Sequence, residues 1–285
     1  MSGYSVLMSV YSGENPAYFE QSLESMVSQT VVTDDFVVVC DGKLTTELDA
    51  VLEKYQQQYP EIFHVVRMDR NLGIGSAANV GLQYCKNDLV AKMDTDDIAV
   101  ANRCEMQLKR FAECPELTVL GGYIEEFDED PNYPASVRRV PLSNENIRKF
   151  ARRRQPFNNM TVMYRREAVM QVGAYRNFRR AEDFDLYIRL LHAGYYCENM
   201  DQVLVRARVN SDAFARRGSV ATLKGCIESR WNSYKLGYAS FLDVCVCVCG
   251  GIVMLLSNPA ICKFIYNLFL REKPDARASE GSTSE

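Results

Sequence analysis

The first 120 residues alternate between short apolar runs and longer amphipathic segments, and this alternation restricts the possible folds more than any other feature of the chain. The β-forming composition of the runs predicts strands over residues 4–10, 35–40, 63–68 and 89–93. The segments between them predict helices over residues 16–29, 45–59 and 73–85. Such alternation is typical of a mostly parallel sheet with helices on both faces, so we expect an α/β fold.

Polar residues directly follow three of the four predicted strands. They lie at residues 11–14, at residues 40–43 and in the DTDD run at residues 94–97. In sheets of this type, ligands bind beyond the carboxyl ends of the strands. We therefore expect the three polar segments to meet at one cleft.

The net charge of −4 conceals two regions of opposite charge. Residues 1–137 contain 9 basic and 23 acidic side chains, whereas residues 138–217 contain 17 basic and 8 acidic ones. An acidic region suits a cation site and an arginine-rich region suits phosphate groups, although two solvated surfaces are the alternative explanation. The negative total, without a nucleic-acid-binding module around residues 152–154, argues against a nucleic-acid partner.

The ten cysteines lack the spacing of a zinc site, and only two histidines, His64 and His192, could accompany them. Three of the cysteines alternate with valine in the apolar run at residues 245–249. The amino-terminal residues lack the basic and long apolar segments of a signal peptide. We therefore expect a cytoplasmic protein whose reduced thiols pack as small apolar side chains.

Beyond residue 120 the alternation is less regular. A hairpin-like region is expected over residues 121–140. The later elements are predicted to be a basic helix (144–154), a strand (160–164), an amphipathic helix (182–192), a strand (202–209) and a long helix (220–237).

The carboxyl-terminal region is apolar before a polar tail. Residues 244–256 carry no charge, but a bilayer span needs about 20 such residues, so this run is too short to cross a membrane. A second apolar run follows at residues 264–270, with basic residues on either side. Two interpretations stay open: residues 238–270 lie in a membrane interface, or they form a helical cover for the core.

Asp94, Asp96 and Asp97 form the densest chemical signal in the sequence. Three carboxylates within four residues repel one another unless a cation neutralises them. Alternate residues on an extended segment can contact a divalent cation and a nucleotide ribose. Capping of a helix near residues 99–112 is the alternative, but one cap accounts for one aspartate only.

Glu182 and Asp183 form the second signal, at the start of a predicted amphipathic helix. The helix dipole stabilises a carboxylate at this position, which leaves it available as a base. A simple N-terminal cap is the alternative interpretation.

The run GIGSAA at residues 73–78 approximates the glycine-rich fingerprint of dinucleotide-binding sheets, and Asp94 follows about 20 residues later. The run, however, follows the third strand rather than the first, and residues 69–72 separate it from that strand. A dinucleotide site also gives no role to Asp96 and Asp97. We therefore interpret the glycines as positions where the backbone approaches a ligand or a neighbouring strand closely.

Five motifs occur in order between residues 4 and 210: SVLMSVYSGE, VVVCDGK, NLGIGSAANVGL, AKMDTDD and AEDFDLYIRLLHAG. Together they resemble the family-2 inverting glycosyltransferases of the GT-A fold. RARVNSDAFARRGS and the apolar carboxyl region are similar to a subgroup that builds bacterial capsular, exopolysaccharide or O-antigen repeat units. The resemblance implies a Rossmann-like, mostly parallel mixed sheet flanked by helices, with a C-terminal helical extension.

The resemblance also implies an activity and a division of the chain. A nucleotide-sugar donor, with UDP as the expected nucleotide, would give its sugar to a glycan or a polyprenyl-diphosphate-linked glycan at the inner face of the cytoplasmic membrane. Residues 1–217 would form the transferase domain, with a donor half (1–120) and an acceptor half (121–217). Residues 218–285 would form the extension.

Individual roles follow from the same resemblance. Residues implied to line the nucleotide pocket, with Asp41 on the base, are Val10, Tyr11, Glu14 and Asp41. Residues implied to border the nucleoside and donor sugar are Asn71, Gly73, Ser76 and Asn79. Asp94 would face the ribose, Asp96 would bind Mn²⁺ or Mg²⁺ with Asp94 beside it, and Asp183 would take the acceptor proton next to Glu182.

The chain departs from the family pattern at two places. Lys43 stands where many relatives have serine or aspartate, and residues 208–211 (RVNS) stand where some relatives have a histidine that binds metal. That ligand is therefore left unassigned. Arg216 and Arg217 are candidates for a diphosphate or an acceptor phosphate, with a solvated basic loop as the alternative.

Two other functions are weighed against the transferase. One is a catalytically silent subunit that binds nucleotide or glycan within a synthesis complex. The other is a sugar nucleotidyltransferase, which usually has a glycine-rich, arginine-containing loop after its first strand. Residues 11–15 (YSGEN) do not match that loop.

Overall fold

A computed structural model describes residues 3–176, 178, 180–209 and 220–257. Its strands are β1 (Ser5–Val10), β2 (Asp35–Cys40), β3 (Phe63–Arg67), β4 (Leu89–Lys92), β5 (Ile98–Ala99), β6 (Leu117–Phe127), β7 (Ser136–Arg138), β8 (Met163–Arg165) and β9 (Tyr196–Arg208). Its helices are α1 (Pro16–Val27), α2 (Thr46–Gln58), α3 (Ile74–Tyr84), α4 (Arg103–Glu113), α5 (Asn144–Ala151), α6 (Arg166–Gln171), α7 (Glu182–His192), α8 (Val220–Lys235) and α9 (Phe241–Leu256).

The described strands form one mixed sheet in the order β3-β2-β1-β4-β8-β6-β9-β5, with β7 paired to β6. β1 is parallel to β2 and β4, and β2 is parallel to β3, so the first half of the chain makes a parallel sheet. β8 joins it in antiparallel orientation to β4 and β6. This confirms the predicted α/β fold with a mostly parallel mixed sheet.

Local signals account for the ends of the helices that surround the site. The Asn15 side chain accepts hydrogen bonds from the backbone of Ala17 and Tyr18, and Pro16 occupies the first position of α1. α3 starts after Gly73, whose φ of 91° lies in the region that glycine tolerates best. The chain can therefore turn sharply from the third strand into α3.

The sheet separates two apolar layers. Along β1, Val6, Met8 and Val10 pack into the layer that contains α1, α2 and α4, whereas Leu7 packs into the layer of α3 and α7. This alternation follows from the two-residue period of a strand. Both faces of the central strands are buried, as expected for parallel strands.

Three sequence-based boundaries are wrong. α4 starts at Arg103 rather than near residue 99, and β9 starts at Tyr196 rather than near residue 202. The strand expected over residues 160–164 is shorter, because a 3₁₀ turn occupies Asn159–Thr161 and β8 starts at Met163. Ala99 instead belongs to β5, which pairs with β9, and the other two segments bury the polar side chains of Thr161 and Asn199.

The described part of the extension is helical. α8 and α9 pack against each other, and α8 also contacts α7. No helix among the described residues is long and apolar enough to cross a membrane. The proposed boundary at residue 217 falls outside the described residues.

Candidate active site

The carboxyl ends of β2, β1 and β4 lie side by side, because these strands are neighbours in the sheet. The Thr95 hydroxyl donates to Glu14 Oε2 at 2.6 Å, which joins the loop after β1 to the loop after β4. Asp41 accepts hydrogen bonds from the backbone N–H groups of Leu72 (2.7 Å) and Gly73 (2.9 Å). The three polar segments predicted from the sequence thus meet at one edge of the sheet.

A cavity of about 470 Å³ opens at this edge and brings together residues far apart in the sequence. We call Asp94, Asp96 and Asp97 its acidic side. We call Asp183, with Arg138, Arg180 and Arg230, its arginine side. The first carboxylate signal and Asp183 of the second therefore line a single cavity.

On the acidic side, Asp97 does not cap a helix. α4 begins at Arg103, six residues later, with Asn102 as its N-cap. The interpretation of the aspartates as caps of this helix is therefore wrong. Asp97 Oδ1 instead accepts a hydrogen bond from the backbone N–H of Arg208 at 2.9 Å. Burial, and repulsion by Asp96 and Asp94, raise the pKa of Asp97 well above its usual range.

Asp94 lies between charges of both signs. Burial raises the pKa of its carboxyl group, the buried ammonium group of Lys92 opposes this rise, and the carboxylates of Asp183 and Glu14 add to it. Its backbone carbonyl accepts a hydrogen bond from the Ser22 hydroxyl at 2.7 Å, which ties the segment to α1. A cation at this position would offset the repulsion among the carboxylates.

Whether the acidic side fits Mn²⁺ or Mg²⁺ depends on whether groups other than protein side chains also act as metal ligands. The described residues contain no group of three or more histidine, cysteine, aspartate or glutamate side chains that could hold a metal ion. Magnesium is commonly bound by one or two carboxylates together with substrate phosphates. Asp94 and Asp96 fit that smaller ligand set, whereas Asp97 Oδ1 is engaged by Arg208.

On the arginine side, two hydrogen bonds orient Asp183. Its Oδ2 accepts from Gln155 Nε2 at 2.6 Å, and its Oδ1 accepts from the backbone N–H of Phe184 at 2.7 Å. These donors and the charge of Arg138 favour the ionised form, but burial outweighs them and the pKa of Asp183 is raised. The structure therefore presents a fixed carboxylate that is more basic than an exposed aspartate.

Glu182 lies next to Asp183 at the first position of α7. Burial, together with repulsion by Asp183 and Asp94, raises the pKa of Glu182 to about 7. The residue before it, Ala181, adopts a left-handed conformation with φ 67°, which is costly for a residue other than glycine. A strained turn therefore precedes both acidic residues, of which Asp183 lines the cavity and Glu182 does not.

The remaining predicted donor residues do not line this cavity. The structure places Tyr11, Glu14, Asp41 and Gly73 at the edge of the sheet where the strands end. The side-chain amide of Asn79 forms hydrogen bonds with the backbone N–H and carbonyl of Tyr175. Those beyond the cavity lining are Val10, Tyr11, Glu14, Asp41, Asn71, Gly73, Ser76 and Asn79. Their contacts with a donor stay predictions, and Arg216 and Arg217 lie outside the described residues.

The sequence analysis assigned no individual role to several residues that line the cavity, among them Arg138, Gln155, Arg208 and Arg230. The excess of arginine in residues 138–217 includes Arg138 and Arg208 but not Arg230, and no spacing linked these residues to Asp183. The guanidinium carbon of Arg208 lies 3.8 Å from the Tyr18 ring centroid. Only tertiary packing brings these residues together.

The fold and this site define a glycosyltransferase of the GT-A type. Among solved structures, the chain is similar to the mannosyltransferase PcManGT from Pyrobaculum calidifontis, which was solved with GDP-Man and Mn²⁺. The TM-score is 0.64 with 14% identity, over 94% of this chain and 76% of that one. Residues 5–179 match the profile of Glycosyl transferase family 2, and the chain belongs to this family. The resemblance read from the five motifs is confirmed.

Two curated relatives are similar over most of their length. The chain is 38% identical to the amylovoran biosynthesis glycosyltransferase AmsE of Erwinia amylovora, over 75% of this chain and 79% of that protein. It is 31% identical to the UDP-Gal:alpha-D-GlcNAc-diphosphoundecaprenol beta-1,3-galactosyltransferase of Escherichia coli, over 94% of this chain and 96% of that protein. The protein is therefore an enzyme, a glycosyltransferase.

Proposed function

We propose that this enzyme transfers a sugar from a UDP-linked donor to a polyprenyl-diphosphate-linked glycan during the synthesis of a bacterial cell-surface polysaccharide. The observation that carries the proposal is the single cavity lined by Asp94, Asp96 and Asp183. The names of the two relatives support it, since one acts from UDP-Gal on a diphosphoundecaprenol-linked sugar and the other serves amylovoran synthesis.

The loops after β1 and β2 and the start of α3 would bind the donor. Asp41 would receive the base, and Asp94 would contact the ribose. The remaining proposed donor contacts are Val10, Tyr11, Glu14, Asn71, Gly73, Ser76 and Asn79. Asp96, with Asp94, would hold Mn²⁺ or Mg²⁺, which as a Lewis acid would offset the charge on the departing diphosphate.

Asp183 would act as the general base. Its oriented carboxylate receives the proton of the acceptor hydroxyl, whose oxygen forms a bond to the anomeric carbon of the donor sugar. The bond between that carbon and the diphosphate oxygen breaks on the opposite face, so the nucleoside diphosphate leaves with the bonding electrons. One displacement of this kind inverts the anomeric configuration, and Gln155 keeps the base in position.

The test is a panel of nucleotide sugars assayed with a short-chain diphospholipid-linked N-acetylglucosamine, with Mn²⁺, with Mg²⁺ and with a chelator. We expect one UDP-sugar to be used, with loss of transfer in the chelator. NMR of the product is expected to give an anomeric configuration opposite to that of the donor. Retention of configuration would rule out the direct displacement, and full activity in the chelator would rule out the metal.

We also propose a peripheral membrane contact through residues 238–270, of which 258–270 lie outside the described residues. On α9, Leu242 is 64% exposed and Leu256 is 80% exposed. Trp231 and Tyr234 of α8 continue the apolar surface, with ring centroids 5.4 Å apart. Tryptophan and tyrosine suit a membrane interface because each carries an apolar ring with a polar group.

Co-sedimentation of the full chain with phosphatidylethanolamine–phosphatidylglycerol vesicles tests this contact. Leu242→Glu is expected to reduce the bound fraction several-fold, because a charge would enter the apolar layer. Val32→Glu is the matched control, since Val32 is 59% exposed on a distant loop. Equal binding by wild type and Leu242→Glu would contradict the proposal.

A further inference from the structure

The extension helix α8 reaches into the active-site cavity. Gly225 makes this approach possible, because a Cβ atom placed there would lie 2.7 Å from the backbone carbonyl oxygen of Arg180. Cys226, Ser229 and Arg230 of the same helix then line the cavity beside Asp183. α8 therefore supplies part of the site, although it lies beyond residues 5–179, which carry the family match.

Arg230 is the charged residue that α8 contributes, and it is 9% exposed. Its guanidinium carbon lies 3.4 Å from the ring centroid of Phe184, the residue that follows Asp183. Its Nη2 donates to the backbone carbonyl of Arg153 at 3.2 Å. Stacking on the ring and this one hydrogen bond fix the plane of the guanidinium group.

Two donor atoms of Arg230 remain unused. Nε and Nη1 are buried and have no hydrogen-bond partner among the described residues. A buried donor without a partner is costly, and the cost is larger for a charged group. Such a residue in a cavity wall has the chemistry to bind an anion that enters the cavity.

The neighbouring residues fit the same ligand. Arg138, Arg180 and Arg208 line the cavity with Arg230, so four arginines border it. The oxygens of Asp183 already accept hydrogen bonds from Gln155 and from the Phe184 backbone. Guanidinium groups bind phosphate oxygens strongly because they are planar, permanently charged and weakly hydrated.

We propose that Arg230 binds a diphosphate group in the active-site cavity. The inference rests on the proposed function, whose donor and lipid-linked acceptor both carry a diphosphate. It assigns α8 a role in substrate binding in addition to covering the core. The negative ligand satisfies the two free donors of Arg230 while leaving Asp183 to face the acceptor hydroxyl.

Calorimetric titration of the full chain with two probes tests the assignment and separates the two sources. The first probe is UDP with Mn²⁺, and the second is farnesyl diphosphate, added to enzyme saturated with UDP and Mn²⁺. Arg230→Gln is expected to weaken one of the two by roughly 10- to 100-fold, the loss expected for a charge-assisted hydrogen bond. Weaker UDP binding assigns Arg230 to the donor, and weaker farnesyl diphosphate binding assigns it to the acceptor.

Lys224→Gln is the matched control, because it removes the same charge from an exposed position of α8. Thermal unfolding of each variant checks the fold. If Arg230→Gln does not fold, Arg230→Lys, which keeps the charge, is used in its place. The affinity of Arg230→Lys for the same probe is expected to be several-fold weaker than that of the wild type.

Unchanged affinity of the folded Arg230 variants for both probes would overturn the inference while the proposed function stands. Failure of the wild-type chain to bind UDP with Mn²⁺ would instead overturn the proposed donor. A wild-type chain that binds neither UDP with Mn²⁺ nor farnesyl diphosphate titrated alone would overturn both.

Discussion

The two sides of the cavity are built in different ways. Asp94, Asp96 and Asp97 on the acidic side come from one short loop at the end of β4. The arginine side takes Arg138 from β7, Asp183 from α7 and Arg230 from α8, which are far apart in the sequence.

The family match covers the acidic side but ends before Asp183 and Arg230. The comparison indicates that the acidic side is encoded by adjacent residues, whereas the arginine side depends on tertiary packing.

The largest expected effect separates the roles of the two sides. Asp183→Asn keeps the size of the side chain but removes the proposed base, so kcat is expected to fall by about 10²- to 10⁴-fold with UDP affinity retained. Asp96→Asn is expected to remove the dependence of UDP affinity on Mn²⁺, as measured by calorimetry. Each variant serves as the control for the other, because one is expected to change kcat and the other the effect of Mn²⁺ on UDP affinity. Loss of UDP binding in Asp183→Asn would contradict separate roles for the two sides of the cavity.

A smaller effect is expected from Gln155→Leu on the arginine side. Loss of its hydrogen bond leaves the ionised Asp183 less favoured, so the pKa of that carboxyl rises further. The acid limb of kcat/KM against pH is expected to move up by about one pH unit. Gln57→Leu is the control, because Gln57 is exposed on α2, and it should leave the pH profile of kcat/KM unchanged. An identical pH profile for both variants would argue against Asp183 as the base.

Gly225→Ala tests whether close packing of α8 builds the arginine side. The added methyl group collides with the Arg180 backbone, so the free energy of unfolding is expected to fall by about 1–3 kcal/mol. Gly250→Ala is the control, because its Cβ would meet no atom within 4 Å and alanine favours the helix by about 1 kcal/mol. Chemical denaturation measures both, and equal stabilisation would mean that α8 does not pack as described.

The smallest effect concerns the turn that leads into α7. Ala181→Gly relieves a left-handed alanine, so the free energy of unfolding is expected to rise by about 0.5–1 kcal/mol. Ala112→Gly in α4 is expected to lower it by about 1 kcal/mol, because glycine disfavours a helix. Urea denaturation distinguishes the signs, and destabilisation in both variants would contradict strain at Ala181.

The sequence was most informative where local pattern and structure coincide. β1 to β4 were predictable because buried parallel strands read as continuous apolar runs, and α1 because Asn15 and Pro16 mark its start. The placement of Asp94 and Asp41 at the same edge of the sheet followed from the rule for strand ends.

The arginine side was not predictable in the same way. Arg230 looked like one of many surface charges on a helix, since nothing in its spacing reveals that Phe184 lies beneath it. The first half of β9 was missed because it buries the polar side chain of Asn199, which donates to the backbone carbonyls of Pro141 and Pro156. Both features depend on contacts between distant segments.

Asp41 has a consequence for redesign of the proposed donor pocket. Its carboxylate holds the N–H groups of Leu72 and Gly73, so any replacement must also keep the glycine loop in place. Asparagine offers one acceptor oxygen for two amides and turns a donor toward the second. Under the proposed role of Asp41 at the base, a change of nucleotide preference would have to be engineered into residues 41 and 71–73 as one unit.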